Sequence, residues 1–211
     1  MLAIFTTITF YQAAKNFSDQ GSYVSVKGLA EKIVLADTAV WSINFQTKSN
    51  DVNKLHTQIE RDISVIKTFL KKEGFTDSEI SVAPINIWQD TYHNAAYRYT
   101  SNTDISVYTK NVAQVKKSSS KTRQLLSKGI IMNQNNIDYN FSDLNSIKPE
   151  MIAEATKNAQ KSAEQFAENA GTNIGKLVRA NQGVFSISQK DPASPEWKKV
   201  RVVSTLRYLL K

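Results

Sequence analysis

The chain has 211 residues, of which 41% are hydrophobic and 22% are charged. This length fits one compact domain or two small ones, and this composition excludes a disordered chain, a collagen and a polytopic membrane protein. The absence of cysteine excludes disulfide frameworks, thiolate zinc sites and thiol nucleophiles. A net charge of +8, from 27 Lys and Arg against 19 Asp and Glu, permits an anionic partner without specifying one.

The N-terminal residues 1–14 form an apolar run without a charged residue. This run is shorter than the ~20 apolar residues of a membrane-spanning helix, and it has neither a preceding basic region nor a typical cleavage site. We interpret residues 1–20 as the latter part of a signal-anchor. The alternative is a short amphipathic or β-forming arm. The first interpretation predicts membrane association through residues 1–14.

Two strands are predicted at 23–35 and 38–48, both rich in β-branched and aromatic residues. The second alternates apolar and mostly polar positions, which is typical of a half-buried strand. Because only Ala36 and Asp37 separate the two strands, we predict a hairpin. A helix then begins at Asn50 or Asp51 and ends at Gly74. Its apolar positions recur in steps of three and four, at Val52, Leu55, Ile59, Ile63, Ile66 and Leu70.

Two further strands are predicted at 80–90 and 97–110, separated by a polar turn around His93 and Asn94. A second helix is predicted from Asn111 to about Gly129, followed by a short strand at 136–141. The apolar face of this helix comprises Val112, Val115, Ser119, Thr122 and Leu126.

A long helix is predicted to open at Lys148, with Pro149 in its first turn, and to end at Gly171. Strands at 176–189 and 198–210 complete the chain. The predicted inward positions of the helix are Ile152, Ala155, Ala159, Ala163, Phe166 and Ala170. Its alanines permit close approach to a sheet or to another helix.

The order helix–strand–strand occurs twice, at about 52–110 and 150–210. We therefore predict an α+β fold with antiparallel sheets and helices packed on one face, built from two βαββ-like halves at about 21–110 and 111–211. The alternative to this pseudo-repeat is coincidence, because any amphipathic helix gives the same spacing. Residues 21–211 form one domain in this interpretation.

The sequence predicts no catalytic constellation. We expect no catalytic residues, no cofactor-binding residues and no metal ligands. The chain lacks phosphate-binding glycine loops and common hydrolase motifs. His56 fits a helix surface or boundary. His93 fits a polar turn, with no second histidine or carboxylate cluster nearby in sequence. The carboxylate pairs of this region are explained by solvation; they are Glu60 with Asp62 and Asp77 with Glu79.

Basic residues concentrate on the second helix, at Lys116, Lys117, Lys121, Arg123 and Lys128. Nucleic-acid binding normally adds aromatic stacking platforms, and this helix has no aromatic residue. The run Tyr92, Tyr97, Arg98 and Tyr99 lies on a predicted hairpin, where alternate side chains pack. We interpret the basic residues as a solvated face, and we expect no nucleic-acid partner.

Three stretches together resemble the SIMPL domain family. The opening segment carries the pattern V-x-V-x-G-x-A-E followed by an A-D pair; its residues are Val24, Val26, Gly28, Ala30, Glu31, Ala36 and Asp37. The long helix carries A-x-x-x-A-x-x-x-A-E-x-x-A, formed by Ala155, Ala159, Ala163, Glu164 and Ala167. The closing KKVRVVSTLRYLL is similar to the final strand of the family. The resemblance extends over nearly all of 23–211.

The resemblance implies a bacterial periplasmic or envelope protein, exported or tethered to the inner membrane, rather than a cytoplasmic one. It also implies ring-like or higher homo-oligomers and a role in stress tolerance, with no established catalytic residues. Gly28 within its strand permits either a bulge or a close backbone approach. Glu31 either points into a partner or forms an ion pair, and the alternative is an ordinary exposed strand residue. The final strand, with Val200, Val202 and Val203, is predicted to expose an adhesive edge unless it is covered.

We therefore expect a non-enzymatic, self-assembling envelope protein without cofactors and without a known small-molecule substrate. The alternative is a small-ligand or anion-binding module, with or without weak hydrolytic activity. This alternative places basic and tyrosine side chains in a groove between the two halves.

Overall fold

The computed structural model describes residues 22–91 and 96–211. The apolar segment at 1–20 and the turn residues Tyr92, His93 and Asn94 lie outside the described residues. The described part of the chain contains nine strands and four helices. In chain order they are β1 Tyr23–Leu35, β2 Thr38–Ser49, α1 Val52–Lys72, β3 Ile80–Val82, β4 Asn86–Gln89, β5 Tyr99–Thr109, α2 Val112–Ser119, α3 Arg123–Leu126, β6 Met132–Asn140, α4 Leu144–Asn169, β7 Ile174–Gln182, β8 Ser186–Gln189 and β9 Trp197–Leu210.

The strands form two sheets, and the predicted α+β class with antiparallel sheets is confirmed. One sheet has the order β1-β9-β7, with β8 also paired to β9. The other has the order β3-β5-β2-β6, with β4 also paired to β5. In the second sheet, β2 pairs antiparallel with both β5 and β6. The pseudo-repeat of two βαββ halves stays a prediction.

The chain divides into two compact units. The first unit contains the described residues up to Ile33 together with Asp143–Ser188 and Lys199–Lys211. The second unit contains Val34–Ser142 and Gln189–Lys198. Each unit therefore draws residues from both of the halves predicted at about 21–110 and 111–211.

The core of the second unit forms between α1 and the inward face of β2. The ring of Trp41 is fully buried and makes edge contacts with Phe69, at 6.4 Å between centroids, and Phe75, at 5.9 Å. Helix α1 begins as predicted, because the Asp51 carboxylate accepts hydrogen bonds from the backbone N–H groups of residues 53 and 54. It ends before Gly74, whose φ of 97° requires glycine. Most of the predicted stripe is buried, although Val52 is exposed.

In the first unit, α4 packs on the sheet through a row of alanines. A Cβ on Gly28 would lie 2.0 Å from the carbonyl oxygen of Ala155 and 2.2 Å from the backbone nitrogen of Ala159. Only a residue without a side chain fits at this position. The predicted close approach of the alanine helix to a sheet is confirmed.

The predicted hairpin of β1 and β2 is wrong, because the two strands belong to different sheets. Neither linking residue closes a turn between them. The backbone N–H of Ala36 donates to the carbonyl of Glu196, at 2.8 Å, and that of Asp37 to the carbonyl of Asn140, at 2.9 Å. Both linking residues are therefore hydrogen-bonded to segments that are far away in the sequence.

The inward faces of two helices also differ from the prediction. The second predicted helix is divided into α2 and α3, and Ser118 and Leu125 are buried instead of Ser119 and Leu126. Helix α4 begins at Leu144 rather than Lys148. It buries every fourth residue, namely Met151, Ala155, Ala159, Ala163 and Ala167. Ala170 is exposed, Ile152 is only half-buried, and Phe166 is 55% exposed.

Three strand predictions are corrected as well. The predicted strand 80–90 is interrupted between β3 and β4, where Pro84 cannot donate to a ladder. The predicted strand 176–189 is divided into β7 and β8. The final strand is not an edge, because β9 lies between β1 and the pair β7 and β8. Val200 and Val202 are accordingly buried, because they lie at alternate, inward-facing positions of β9.

Candidate functional site

The two histidines give no ligand site in the described part of the chain. His56 is exposed on α1, as predicted for a helix-surface residue, and His93 lies outside the described residues. Across residues 22–91 and 96–211, no group of three or more His, Cys, Asp or Glu side chains could hold a metal ion.

Solvation does not explain all of the predicted carboxylate pairs. Asp62 is only 4% exposed, and its Oδ1 accepts a hydrogen bond of 2.9 Å from Gln58 Nε2. Glu79 accepts hydrogen bonds from the backbone N–H and the hydroxyl of Thr76, each at 2.9 Å. A hydrogen bond from the Thr109 side chain and those from Thr76 lower the pKa of Glu79. Asp77 pairs with Lys71 at 2.8 Å, whereas Glu60 is exposed.

The basic residues of α2 and the turn after it are not simply solvated, because two of them neutralise buried carboxylates. Lys121 Nζ lies 2.6 Å from the carboxylate of Glu73, which is 8% exposed. Lys116 forms the equivalent ion pair with buried Glu196. Each lysine donates a hydrogen bond that lowers the pKa of its carboxyl partner. The interpretation as a solvated face is therefore wrong at these two positions.

Sequence reasoning missed these ion pairs because their partners are far apart in the chain. Glu73 and Lys121 are 48 residues apart, and Lys116 and Glu196 are 80 apart. Only tertiary structure brings them together. The sequence signal for one of the two pairs is the position of Glu73 next to Gly74, where α1 ends and the chain turns back to the core.

The motif residues of the opening segment have mainly structural contacts. Glu31 lies 3.5 Å from Arg201 in an ion pair across the sheet of the first unit, as one of its two interpretations anticipated. The Asp37 carboxylate accepts hydrogen bonds from the backbone N–H of Ser142, at 2.8 and 3.0 Å, and from its hydroxyl. Gly28 and Ala30 are buried. These contacts stabilise the fold. The candidate functional surfaces of the first unit are the exposed face and edges of its sheet.

The sheet of the first unit carries α4 on one face and is open on the other. Along β1 the exposed residues alternate with the inward ones, and they include Leu29 and Ile33 at 40% and 43% exposure. No residue of β7 or β8 is buried. Residues 174–188, which we call the β7–β8 edge, expose Leu177, Val178, Val184 and Ile187.

A polar cavity of about 260 Å³ lies on the first unit, where β7 and β9 meet. Arg179 and Arg207 are register partners on these two strands, and Ser25, Asn181 and Thr205 complete most of its lining. The guanidinium of Arg207 stacks over the Tyr23 ring at 4.2 Å. No described carboxylate pairs with either arginine. Two like charges opposite each other on adjacent strands are unfavourable unless an anion joins them.

The fold and these surfaces define an α+β protein with a half-covered antiparallel sheet and with ion pairs that neutralise two buried carboxylates. The SIMPL family, described as "Protein of unknown function (DUF541)", matches residues 24–204. The chain therefore belongs to the SIMPL family, which confirms the resemblance. No curated protein shows a significant match to the chain. Over the described residues, none of the helices has the length and apolar character that a membrane span needs.

Proposed function

We propose that the protein is a non-enzymatic component of the bacterial cell envelope that assembles with copies of itself and contributes to stress tolerance. Residues 1–20 export it or hold it at the inner membrane in this proposal. Membership of the SIMPL family and the apolar run at 1–14 support the envelope location. The exposed sheet of the first unit supports self-assembly.

The observation that carries the proposal is the exposure of the β7–β8 edge. A strand normally buries at least one face, yet β7 has no buried residue, and Val178 and Val184 are 54% and 92% exposed. The opposite end of the same sheet is β1, a 13-residue strand that also has no strand neighbour on its outer side among the described residues. Such edges are templates for pairing with another chain.

We take the occupant of the β7–β8 edge to be the β1 edge of a second copy. This contact joins two different surfaces of the same molecule, so it is head-to-tail. Head-to-tail contacts generate closed rings when the rotation closes. The apolar side chains on both edges, including Leu29 and Ile33 of β1, would be covered by the contact.

The mass of the full chain in solution tests this proposal. Light scattering coupled to size exclusion should give a multiple of 23.7 kDa for the wild type. The variant V178K/V184K should give the monomer mass, because lysines at the edge oppose strand pairing. The matched control is L126K, since Leu126 is 55% exposed on α3, a helix of the second unit. A wild type that stays monomeric at high concentration would refute self-assembly.

Fractionation of cells that produce the full chain tests the location. The protein should appear in the periplasmic or membrane fraction, and deletion of residues 1–14 should move it to the cytosol. Recovery of the intact chain in the cytosol would contradict the envelope proposal. Survival of a deletion strain under oxidants, with and without the wild-type chain restored, tests the contribution to stress tolerance.

A second candidate function is anion binding at the cavity between Arg179 and Arg207. The observation that favours it is the pair of arginines that oppose each other in the strand register and line one cavity, without a carboxylate partner among the described residues. Guanidinium groups bind phosphate oxygens in a bidentate manner, and the side chains of Ser25 and Thr205 add hydroxyl donors.

Calorimetry with inorganic phosphate and co-sedimentation with phosphatidylglycerol vesicles distinguish a free anion from a lipid headgroup. We expect R179Q/R207Q to weaken the binding about tenfold or more. The control K176Q, on the same strand, should bind like the wild type. Equal binding by wild type and R179Q/R207Q would reject this site.

A further inference from the structure

The second unit contains a cavity of about 300 Å³ that neither proposed function uses. Residues of β2 and α1 form two of its walls, and Tyr97 lies at its margin with 49% exposure. The polar lining residues are Gln46, Thr47, Lys48, Gln58 and Asp62. The size suits a small organic molecule.

A buried carboxylate lies in this cavity. Asp62 is 4% exposed, and its partner in the described chain is the neutral amide of Gln58, at 2.9 Å. No described Lys, Arg or His comes within ion-pair distance of it. A buried carboxylate normally pairs with a cation, because burial removes the water that would otherwise solvate it. The cation in the lining, Lys48, is exposed.

A second polar group in the lining has no partner. The hydroxyl oxygen of Thr47 is buried and makes no hydrogen bond with any described residue, and the residue is 6% exposed. Buried hydroxyl groups are nearly always satisfied by protein, water or ligand. This observation is independent of Asp62, since the two residues lie on different elements.

We propose that this cavity binds a small molecule through a protonated primary amine. An ammonium group has three N–H donors. One donor matches the Asp62 carboxylate and another the Thr47 hydroxyl, while the Tyr97 ring supplies a face for a cation. An oxyanion does not suit a site built around a buried carboxylate. A metal ion does not suit a site with a single carboxylate.

Ligand-observed NMR on the full chain tests the proposal with three probes, namely ethanolamine, methylamine and benzylamine. Benzyl alcohol is the neutral control for benzylamine, because it keeps the ring and replaces the ammonium by a hydroxyl. We expect saturation transfer to at least one amine and a much weaker signal for benzyl alcohol. Absence of binding by all three amines would overturn the proposal. Equal binding of benzyl alcohol and benzylamine would do the same, because it would show an apolar cavity.

Variants locate the binding. D62N keeps the shape of the side chain and its ability to accept from Gln58, but it removes the charge, so amine affinity should fall about tenfold or more. The control E60Q removes an exposed carboxylate from the same helix and should leave affinity unchanged. T47V supplies a second test if D62N fails to fold, and it should weaken binding by a smaller factor. Unchanged affinity in the folded variants would reject the site.

Discussion

Gly28 of β1 lies directly against Ala155 of α4, so close that a methyl group on the glycine would overlap the alanine carbonyl oxygen at 2.0 Å. Both residues belong to the motifs by which the sequence resembles the SIMPL family. Their contact explains why a small-residue strand position and an alanine-rich helix occur together. The helix approaches the strand backbone without side chains between them, and the sheet of the first unit depends on this approach.

The first prediction is that Gly28→Ala destabilises the protein strongly. The added methyl group meets backbone atoms of α4, which cannot move away as a side-chain tip could, so helix and strand must separate. We expect the free energy of unfolding to fall by about 3 kcal/mol. Urea denaturation monitored by circular dichroism measures the change. Ser25→Ala, at an exposed position of the same strand, is the control and should stay within about 0.5 kcal/mol of the wild type. A Gly28→Ala variant as stable as this control would contradict the packing.

The second prediction concerns the ion pair of buried Glu73 with half-buried Lys121. Glu73→Gln removes the charge that Lys121 approaches at 2.6 Å, and it weakens the hydrogen bond from Ser118. We expect a loss of about 1–2 kcal/mol at neutral pH, measured by urea denaturation. The exposed Asp77, paired with Lys71, provides the control Asp77→Asn, for which the expected change is below about 0.5 kcal/mol.

The same pair predicts a pH dependence. Hydrogen bonding from Lys121 holds the pKa of Glu73 below its usual value of 4.5 in the folded protein. The unfolded state therefore binds a proton more readily, so the stabilisation is complete above pH 4.5 and is lost as the pH falls through the lower folded value. The stability difference between wild type and Glu73→Gln should narrow as the solution is acidified through this range. A difference that stays constant would show that Glu73 contributes through packing alone.

The third prediction is that Lys198→Met stabilises the protein. Lys198 is 7% exposed, and burial lowers the pKa of its amine despite the nearby charge of Asp138. The charged amine is thus held where water is scarce, and a methionine fills similar space without that cost. We expect a gain of about 1 kcal/mol at neutral pH by thermal or urea denaturation. Lys199→Met, at the half-buried neighbouring position, should have a smaller effect. A net loss of stability in Lys198→Met would indicate that the Asp138 interaction outweighs burial.

Much of the architecture could be predicted because it depends on local patterns. The stripe of α1 and its cap at Asp51 follow from residues three and four positions apart, and β2 follows from strict alternation. The sheet membership of β1 could not be predicted, since it depends on pairing with β9, at the other end of the chain. The candidate surfaces could not be predicted for the same reason, because they also depend on contacts between distant parts of the chain. Arg179 and Arg207 become partners only when β7 pairs with β9.

The last prediction uses the helix face that the sequence pattern placed incorrectly. A mixed spacing of three and four assigned Phe166 to the core, but α4 contacts β1 along a row of small residues every fourth position, which leaves Phe166 55% exposed and Ala163 fully buried. Phe166→Ser should therefore change the free energy of unfolding by less than about 0.5 kcal/mol. Ala163→Leu should reduce it by about 1–3 kcal/mol, because the larger side chain has no space beside the sheet. Urea denaturation of both variants checks this contrast. If Phe166→Ser were the more destabilising of the two, the buried face of α4 would be the one that the mixed spacing predicted, and the observed packing would be contradicted.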